Sequence, residues 1–338
     1  MRYRELGKTG MKVSVPALGG YLHQNAQEEV DRILSRALEA GINYIDTAHA
    51  YGTSQRKIGA AISHRRDEFY IATKTASRDA EGARRDMQET LEALQIERVD
   101  VCQVHAVKTE GDLERVLAPG GALESLEELK SEGRIGHIGI TSHRPDLLVK
   151  AIKAGCFETV LFFLNPLQTY ALEELIPLAR ERGVGTVVMK PLASGWLRDV
   201  RSALRFVLAQ DVDTLVPGLR SLEELEEALA ACEGEVSEAE AKRIQAEMAR
   251  FQSECRWCNL CAPCPEGIDI PRLLSLSGYL AEFGVPPGRE EEWSKLVTQS
   301  ASCAGSAHCQ RAALCEIRCP YHLSIRPTIL RTGEAEMR

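Results

Sequence analysis

Eight short apolar segments alternate with amphipathic segments over residues 1–232 of this 338-residue chain. Each apolar segment has the length of a β-strand, and between them apolar residues recur at helical spacing. The predicted strands are residues 16–19, 42–47, 69–73, 99–105, 135–141, 159–165, 185–190 and 214–217. Because strands that alternate with helices pair in parallel through right-handed crossovers, eight such units predict an α/β fold, a (β/α)8 TIM barrel.

An open doubly wound sheet is the alternative architecture for such a pattern. No Gly-x-Gly-x-x-Gly motif follows the first strand, which disfavours that alternative. A turn at Lys8-Thr9-Gly10 predicts a β-hairpin that closes one end of the barrel. The predicted helices are residues 28–40, 83–94, 123–132, 145–154, 170–182, 200–210, 221–231, 271–283 and 289–300.

Three regions follow from this pattern. We expect the barrel at residues 1–232, a polar helical connector at 233–253, and a small α-helical domain at 254–338. The net charge is −8 and no patch of Lys and Arg is visible, so neither nucleic acid nor an anionic membrane is an expected partner. Apolar runs stay at strand length, below the roughly 20 residues that span a bilayer, and no secretory leader is visible. We therefore expect a cytoplasmic protein.

Three successive predicted strands end at ionisable side chains. The first leads from Asp46 to Tyr51, the second ends at Lys74 and the third at His105. Taken singly, each residue has a structural explanation, such as a helix cap or a buried core histidine. The carboxyl ends of parallel strands meet on one face of a barrel, so together the four predict an active site.

The motifs that carry these residues, IDTAHAYGTSQRKIG, FYIATKT and DVCQVH, resemble those of the aldo-keto reductases. The resemblance implies that Asp46, Tyr51, Lys74 and His105 are the catalytic residues of a reductase for carbonyls, or of a dehydrogenase for alcohols. In such a site a phenol protonates the forming alkoxide, a lysine ammonium favours the phenolate, and an aspartate keeps the lysine charged. The histidine orients the small-molecule carbonyl substrate.

The same resemblance implies an extended nicotinamide cofactor held by the later strands. Thr141 and Ser142 lie where the family has a Ser-Asn pair that contacts the carboxamide. Leu161 and Leu164 replace the usual glutamine and a stacking tyrosine, which weakens the expected contact. The expected cofactor-binding residues are Thr141, Ser142, Lys190, Pro191, Leu192, Ser194, Gly195, Gly218, Arg220, Ser221, Glu224 and Glu227.

The choice of cofactor depends on the segment after the eighth strand. Arg220 and Ser221 could hold a 2′-phosphate, which favours NADP(H) over NAD(H). Ser221 and Glu224 also have the spacing of a helix capping box, an explanation that involves no ligand. The two explanations are compatible.

Eight of the eleven cysteines follow residue 250. A first run places Cys255, Cys258, Cys261 and Cys264 at three-residue intervals before Pro265. This run differs by one residue from the bacterial ferredoxin motif and predicts a [4Fe-4S] cluster. A zinc site is the alternative, although it would use two Cys-x2-Cys pairs separated by a longer spacer.

A second run has irregular spacing and contains Cys303, Cys309, Cys315 and Cys319. Exchange of the fourth ligand between runs would place Cys255, Cys258, Cys261 and Cys319 on one cluster, and Cys264, Cys303, Cys309 and Cys315 on the other. We expect two clusters, with a single cluster as the alternative. The other three cysteines, Cys102, Cys156 and Cys232, are expected to be small buried hydrophobes. A subgroup of the aldo-keto reductases resembles this chain in carrying such a C-terminal ferredoxin-like domain.

Two functions remain open at this stage. The first is an NADP-dependent oxidoreductase whose iron-sulfur module transfers electrons to a partner protein or supports the structure. The second is a redox-sensing or partner-docking barrel in which the cluster is the functional part. The complete set of four catalytic residues favours the enzyme, whereas Leu161 and Leu164 favour the alternative.

Overall fold

The computed structural model describes residues 1–252, 255, 258, 260–285, 287–309 and 313–335. Residue packing divides the chain into two compact units. One contains Met1–Asn165 and Ala171–Ala241, and the other contains Pro166–Tyr170 and the described part of Lys242–Arg338. The change of unit near Ala241 falls in the segment predicted as a connector, while the predicted boundary between residues 253 and 254 lies outside the described residues.

The first unit contains an eight-stranded sheet whose strands are all parallel and follow one another in chain order. Its strands are β3 (Leu18–Gly19), β4 (Tyr44–Asp46), β5 (Tyr70–Thr75), β6 (Val99–Val104), β7 (Ile135–Thr141), β8 (Thr159–Phe163), β9 (Gly185–Met189) and β10 (Thr214–Val216). A parallel bridge between Gly19 and Gly218 closes the sheet on itself. The predicted (β/α)8 barrel is confirmed.

Gly19 makes this closure possible. Its backbone nitrogen donates a 2.9 Å hydrogen bond to the carbonyl oxygen of Pro217. A Cβ atom at Gly19 would lie only 2.6 Å from that oxygen, which no side chain tolerates. The first and last barrel strands therefore approach each other only because this position has no side chain.

The predicted hairpin is also confirmed. Its strands β1 (Arg2–Glu5) and β2 (Lys12–Val15) pair antiparallel before the barrel begins. Hairpin and barrel share one core, formed by Leu6, Met11, Val13, Ala17, Tyr44, Ala72, Val101, Leu161, Val187 and Val216. Successive side chains of a strand alternate between faces, so the residues two positions after Tyr44, Ala72 and Val101 also face the barrel interior, nearer its carboxyl end. Those residues are Asp46, Lys74 and Gln103.

Nine helices follow the barrel strands within the described residues. They are α1 (Gln27–Glu39), α2 (Ser54–Ile62), α3 (Ala80–Leu94), α4 (Glu110–Leu117), α5 (Ala122–Ser131), α6 (Pro145–Ala154), α7 (Leu175–Arg182), α8 (Val200–Leu208) and α9 (Leu222–Ala231). Helices α2 and α4 were not predicted. The helix predicted from residue 170 begins only at Leu175, and a short 3-10 helix occupies Tyr170–Leu172.

The chain continues through α10 (Glu238–Gln252), which confirms the helical period of the connector. The later helices are α11 (Ile270–Phe283), α12 (Glu290–Ser300), α13 (Ser302–Gly305), α14 (Leu314–Ile317) and α15 (Ile325–Ala335). The predicted pair α11 and α12 is confirmed, and α15, which was not predicted, packs against α11, α12, α13 and α14. Over the described ranges, no helix has the length and apolar character needed to cross a membrane.

Candidate active site

The four predicted catalytic residues meet at the carboxyl end of the barrel strands. Asp46 is the last residue of β4, Lys74 lies in β5, and His105 directly follows β6. Tyr51 lies in the loop between β4 and α2. The Nζ of Lys74 is 5.0 Å from the centre of the Tyr51 ring, whose centre is 5.8 Å from that of His105.

Lys74 is the centre of this group, with only 2% of its surface exposed. Its Nζ donates hydrogen bonds to Oδ2 of Asp46 at 2.5 Å and to the backbone carbonyl of Thr47 at 2.6 Å. Burial by itself lowers the pKa of Lys74, but the charges of Asp46 and Tyr51 and hydrogen bonds to both outweigh it, so that the pKa is raised. Lys74 is therefore a buried ammonium ion at neutral pH.

Gln103 is a fifth member of the site that the sequence did not single out. Its Nε2 donates a 2.9 Å hydrogen bond to Oδ1 of Asp46, the carboxylate oxygen that Lys74 does not use. A buried amide in a mostly apolar strand, two positions before His105, was the available signal. Among the described residues, these two side chains donate all the hydrogen bonds that the Asp46 carboxylate accepts.

His105 is neutral in this environment. Burial lowers its pKa to about 3, with further contributions from the nearby charges of Lys74 and Arg78. His143, after β7, behaves alike, because burial and the charge of Lys190 lower its pKa to about 4. Each imidazole therefore has one N–H donor and one acceptor nitrogen at neutral pH.

Two aromatic residues on the loop after β3 extend the site outwards. The ring of Tyr21 lies edge-on to that of Tyr51, with centres 4.9 Å apart, and its centre is 4.5 Å from that of His23. Tyr21 is 50% exposed, so its ring forms a solvent-facing wall beside the Tyr51 phenol. Sequence reasoning missed both residues, because neither belongs to a periodic pattern.

Thr141 and Ser142 lie at the end of β7, near the segment that follows His105. The Thr141 hydroxyl accepts a 2.7 Å hydrogen bond from the backbone nitrogen of Ala106. The Ser142 hydroxyl donates to the carbonyl of Val107 at 2.6 Å and accepts from the nitrogen of Arg144 at 3.0 Å. Both hydroxyls thus support neighbouring backbone, although the Thr141 hydroxyl keeps its proton for a further bond.

Leu161 and Leu164 are buried, at 1% and 0% exposure, and Leu161 belongs to the barrel core. Two phenylalanines end β8, and the second of them, Phe163, shares the face of Leu161. The His143 ring lies 4.1 Å from the Phe163 ring, centre to centre, and Nζ of Lys190 lies 4.4 Å from the same centre. An aromatic surface is therefore present one residue before Leu164.

The loop after β9 is tightly wound. Positive φ angles occur at Lys190 (52°), Ala193 (49°), Ser194 (63°) and Gly195 (87°). Asn165 fixes the start of the loop through a 3.0 Å hydrogen bond from its Nδ2 to the carbonyl of Lys190. Pro191 is buried, Leu192 is half-buried, and Lys190, Ser194 and Gly195 are exposed.

At the start of α9, the capping role predicted for Ser221 is confirmed, because its hydroxyl accepts a hydrogen bond from the nitrogen of Glu224 at 3.2 Å. The Glu224 carboxylate bonds back to the nitrogen of Arg220 at 2.6 Å rather than to that of Ser221. Arg220, Gly218 and Glu227 are exposed.

Six of the eight C-terminal cysteines are buried, namely Cys258, Cys261, Cys303, Cys309, Cys315 and Cys319. Burial and the charges of Cys255, Cys258 and Cys315 raise the pKa of Cys261, which places those thiols nearby. Burial likewise raises the pKa of the Cys303 thiol. The nearby thiols of Cys309 and Cys264 add to this increase, and Arg326 partly offsets it. Within the described ranges, no three His, Cys, Asp or Glu side chains converge into a ready metal-binding geometry.

The other three cysteines lie in the first unit. Cys102 and Cys232 are buried, as predicted, whereas Cys156 is only half-buried. Burial raises the pKa of Cys102 and of Cys232 to about 12, so both are unreactive thiols at neutral pH. None of the eleven cysteines forms a disulfide.

Comparison with known proteins identifies the family of the chain. The model of the Aldo/keto reductase family matches residues 16–202. The uncharacterized oxidoreductase YqkF of Bacillus subtilis (strain 168) is 29% identical over 213 residues, which are 59% of this chain and 67% of the relative. L-galactose dehydrogenase of Arabidopsis thaliana is 29% identical over 216 residues, 58% of this chain and 67% of that enzyme.

A solved structure, the holo form of aldo-keto reductase AKR11C1 from Bacillus halodurans, superposes with a TM-score of 0.66 at 26% identity and covers 73% of this chain and 96% of its own. The chain belongs to the aldo/keto reductase family. It is therefore an oxidoreductase built on a (β/α)8 barrel.

Proposed function

We propose that the protein is an NADP(H)-dependent aldo-keto reductase that reduces a small-molecule carbonyl, or oxidises the matching alcohol, and that its C-terminal region binds iron-sulfur clusters. The observation that carries the reductase proposal is the buried ammonium of Lys74, which lies between the carboxylate of Asp46 and the ring of Tyr51. Burial lowers the pKa of such a lysine, and the carboxylate of Asp46 counteracts that effect. The positive charge that Lys74 retains favours loss of the proton from the phenol of Tyr51 beside it.

The four residues divide the proton chemistry between them. The Tyr51 hydroxyl donates a proton to the substrate oxygen as negative charge develops there. Lys74 stabilises the resulting phenolate, and Asp46 holds Lys74 charged and in place. Neutral His105 donates one N–H hydrogen bond to the substrate carbonyl and so orients it without adding a second positive charge. The nicotinamide cofactor, when bound, supplies the hydride.

The loop after β9 fits the phosphates of such a cofactor. Positive φ angles at Ala193, Ser194 and Gly195 give the loop a compact backbone of the kind that binds anions. The nitrogens of Ala193 and Gly195 already donate to the carbonyls of Lys190 and Leu192, which holds this backbone in place. Thr141 keeps a donor for the carboxamide, and Phe163 offers an aromatic surface for the nicotinamide ring. Exposed Arg220 supplies a cation for a 2′-phosphate. The remaining length of the cofactor would lie against Lys190, Pro191, Leu192, Ser194, Gly195 and Gly218. The residues that would support this binding surface are Ser142, Ser221, Glu224 and Glu227.

The cysteine-rich region at residues 254–338 fits a thiophilic cofactor through the chemistry of its donors. Eight thiols lie in one short segment, most of them are buried, and none forms a disulfide. Iron-sulfur clusters are held by four thiolates each, so two [4Fe-4S] clusters would use all eight. We propose a ferredoxin-like domain in which Cys255, Cys258, Cys261, Cys264, Cys303, Cys309, Cys315 and Cys319 are the ligands. Bound clusters would carry single electrons.

The reductase proposal can be tested on the purified full-length protein. NADPH fluorescence titration should show saturable binding, and a panel of aldehydes and ketones should give NADPH oxidation. Tyr51→Phe keeps the ring but removes the proton donor, so it should bind NADPH as before and lose about 10²- to 10⁴-fold in turnover. Near-full turnover by Tyr51→Phe would refute the assigned mechanism, and absence of NADPH binding to the unmodified protein would refute the function.

A further inference from the structure

Gln103 lies on β6, between β5 and β7, in a position from which its amide reaches the carboxylate of Asp46. In the register of the sheet it pairs with Lys74 of β5 on one side and with Gly139 of β7 on the other. Its Nε2 donates to Oδ1 of Asp46 at 2.9 Å, across the width of β5. Gln103 is only 1% exposed, so bulk water does not compete with its amide for the hydrogen bond to Asp46.

The neighbouring strand leaves room for this side chain. A Cβ atom at Gly139 would lie 2.9 Å from Cγ of Gln103 and 2.2 Å from Oγ1 of Thr159. A side chain at position 139 would therefore push Gln103 or Thr159 aside. The glycine, which pairs directly with Gln103, lets the amide lie inside the barrel beside Asp46.

The two oxygens of Asp46 have one partner each. Oδ2 accepts from Lys74, and Oδ1 accepts from Gln103, while the carboxylate is 4% exposed. A buried carboxylate with one oxygen unsatisfied can rotate or take up a proton, and either change weakens its hold on the lysine. Other titratable groups around the pair are Tyr51, His105 and the buried phenol of Tyr44 beneath it.

We propose that Gln103 is a positioning residue for the reductase chemistry: its amide fixes the carboxylate of Asp46, and thereby fixes the charge and place of the Lys74 ammonium. This inference rests on the proposed reductase function. Among the described residues, the Gln103 side chain forms its hydrogen bond with Asp46 and none with the Tyr51 hydroxyl. It acts on the proton of Tyr51 through two intervening residues, Asp46 and Lys74.

The first test compares Gln103→Leu with Gln55→Leu. Gln55 is a matched control, since it is also buried and hydrogen-bonded, but its partners are Thr73 and Thr90 and not Asp46. A hydrogen bond to a charged group controls about 10- to 100-fold in an equilibrium. Gln103→Leu should therefore lower kcat by roughly that factor with KM for the carbonyl nearly unchanged. Gln55→Leu should alter stability alone.

Gln103→Glu provides a signature that a structural role would not produce. A protonated glutamic acid can donate to Oδ1 of Asp46, whereas its ionised form repels the carboxylate. The activity of Gln103→Glu, relative to the unmodified enzyme, should therefore rise as the pH falls, whereas that of Gln103→Leu should not rise. A pH-independent ratio for Gln103→Glu would overturn the proposal.

A measurement without turnover separates this proposal from the reductase function. NMR titration of the protein labelled with ¹³C at lysine Cε reports the protonation of Lys74, with exposed Lys295 as internal reference. Gln103→Leu should lower the pKa of Lys74 relative to the unmodified protein, and Gln55→Leu should leave it unchanged. An unchanged Lys74 pKa in Gln103→Leu would refute the positioning role even if the protein reduces no carbonyl tested.

Discussion

The carboxylate of Glu224 bends back over the start of α9 and accepts a 2.6 Å hydrogen bond from the backbone nitrogen of Arg220. It thereby places a negative charge where the N-terminus of a helix would otherwise attract a phosphate. Arg220, exposed beside it, has the opposite effect on such a phosphate. We therefore expect the choice between NADPH and NADH to depend on these two neighbouring charges of opposite sign.

We expect a modest preference for NADPH over NADH, near the tenfold end of what a guanidinium-phosphate contact provides. Arg220→Ala should abolish the preference by weakening NADPH binding, and Glu224→Gln should increase it. Fluorescence titrations with both cofactors would measure these affinities, with Arg115→Ala on α4 as the surface control. Equal affinities for NADPH and NADH in the unmodified protein would contradict the role of Arg220.

The cysteine-rich region should contain iron. Protein expressed and purified without oxygen should be brown and hold about eight iron atoms per chain for two clusters, or about four for one. Cys258→Ala should cost one cluster, whereas Cys102→Ala, which alters a buried barrel thiol, should leave the iron content unchanged. Metal analysis together with electron paramagnetic resonance would measure the number and type of clusters. Zinc without iron would overturn the assignment of this region as an iron-sulfur domain.

Glu158 predicts a specific acid sensitivity. Burial raises its pKa, but hydrogen bonds from His137, Lys130 and the nitrogen of Ile138 outweigh that effect and lower it to about 2. A carboxyl whose pKa is lower in the folded than in the unfolded chain stabilises the fold above the unfolded pKa of about 4.3. This contribution should be lost as the pH falls from about 4.3 towards 2.

The contribution of the Glu158 carboxylate to stability would be measured by urea unfolding of Glu158→Gln and of the unmodified protein at several pH values. The difference between the two free energies of unfolding should be constant near neutrality and shrink in the acid range. The same substitution at exposed Glu114 is the control. A difference that stays constant down to pH 2 would show that Glu158 does not hold its charge in this way.

Tyr44 offers a substitution that should stabilise the barrel. Its hydroxyl is fully buried and has no hydrogen-bond partner among the described residues. An unsatisfied buried hydroxyl costs about 1–3 kcal/mol, so Tyr44→Phe should raise the free energy of unfolding by about that amount. Thermal and urea unfolding would measure the change, and a lower stability would indicate that the hydroxyl has a partner in solution.

The sequence predicted most of the barrel because its strands are apolar and its helices periodic. Helix α2 escaped prediction because small or polar residues, including Ser54, Gln55 and Gly59, are buried on it in place of an apolar stripe. Helix α4 buries only Leu113 and Val116, although the capping box of Thr109 and Asp112 was a usable signal.

The candidate site likewise contains some residues that the sequence could predict and others that it could not. Asp46, Tyr51, Lys74 and His105 were predictable, because each ends or follows a recognisable strand. Gln103 was not, because its importance lies in a hydrogen bond from β6 to β4, two strands that are separated by β5 in the sheet. Tyr21 and His23 lie on a loop without periodicity, so only the folded chain brings them beside Tyr51.

The buried guanidinium of Arg205 on α8 sets a limit on where the barrel can be cut. It donates to the carbonyls of Ala231, Glu233 and Glu235 and forms an ion pair with Glu240, at the start of α10. A fragment that ends at residue 232 would leave this cation in the interior with most of its acceptors removed. Any shortened version of the enzyme made for crystallisation should therefore extend beyond Glu240.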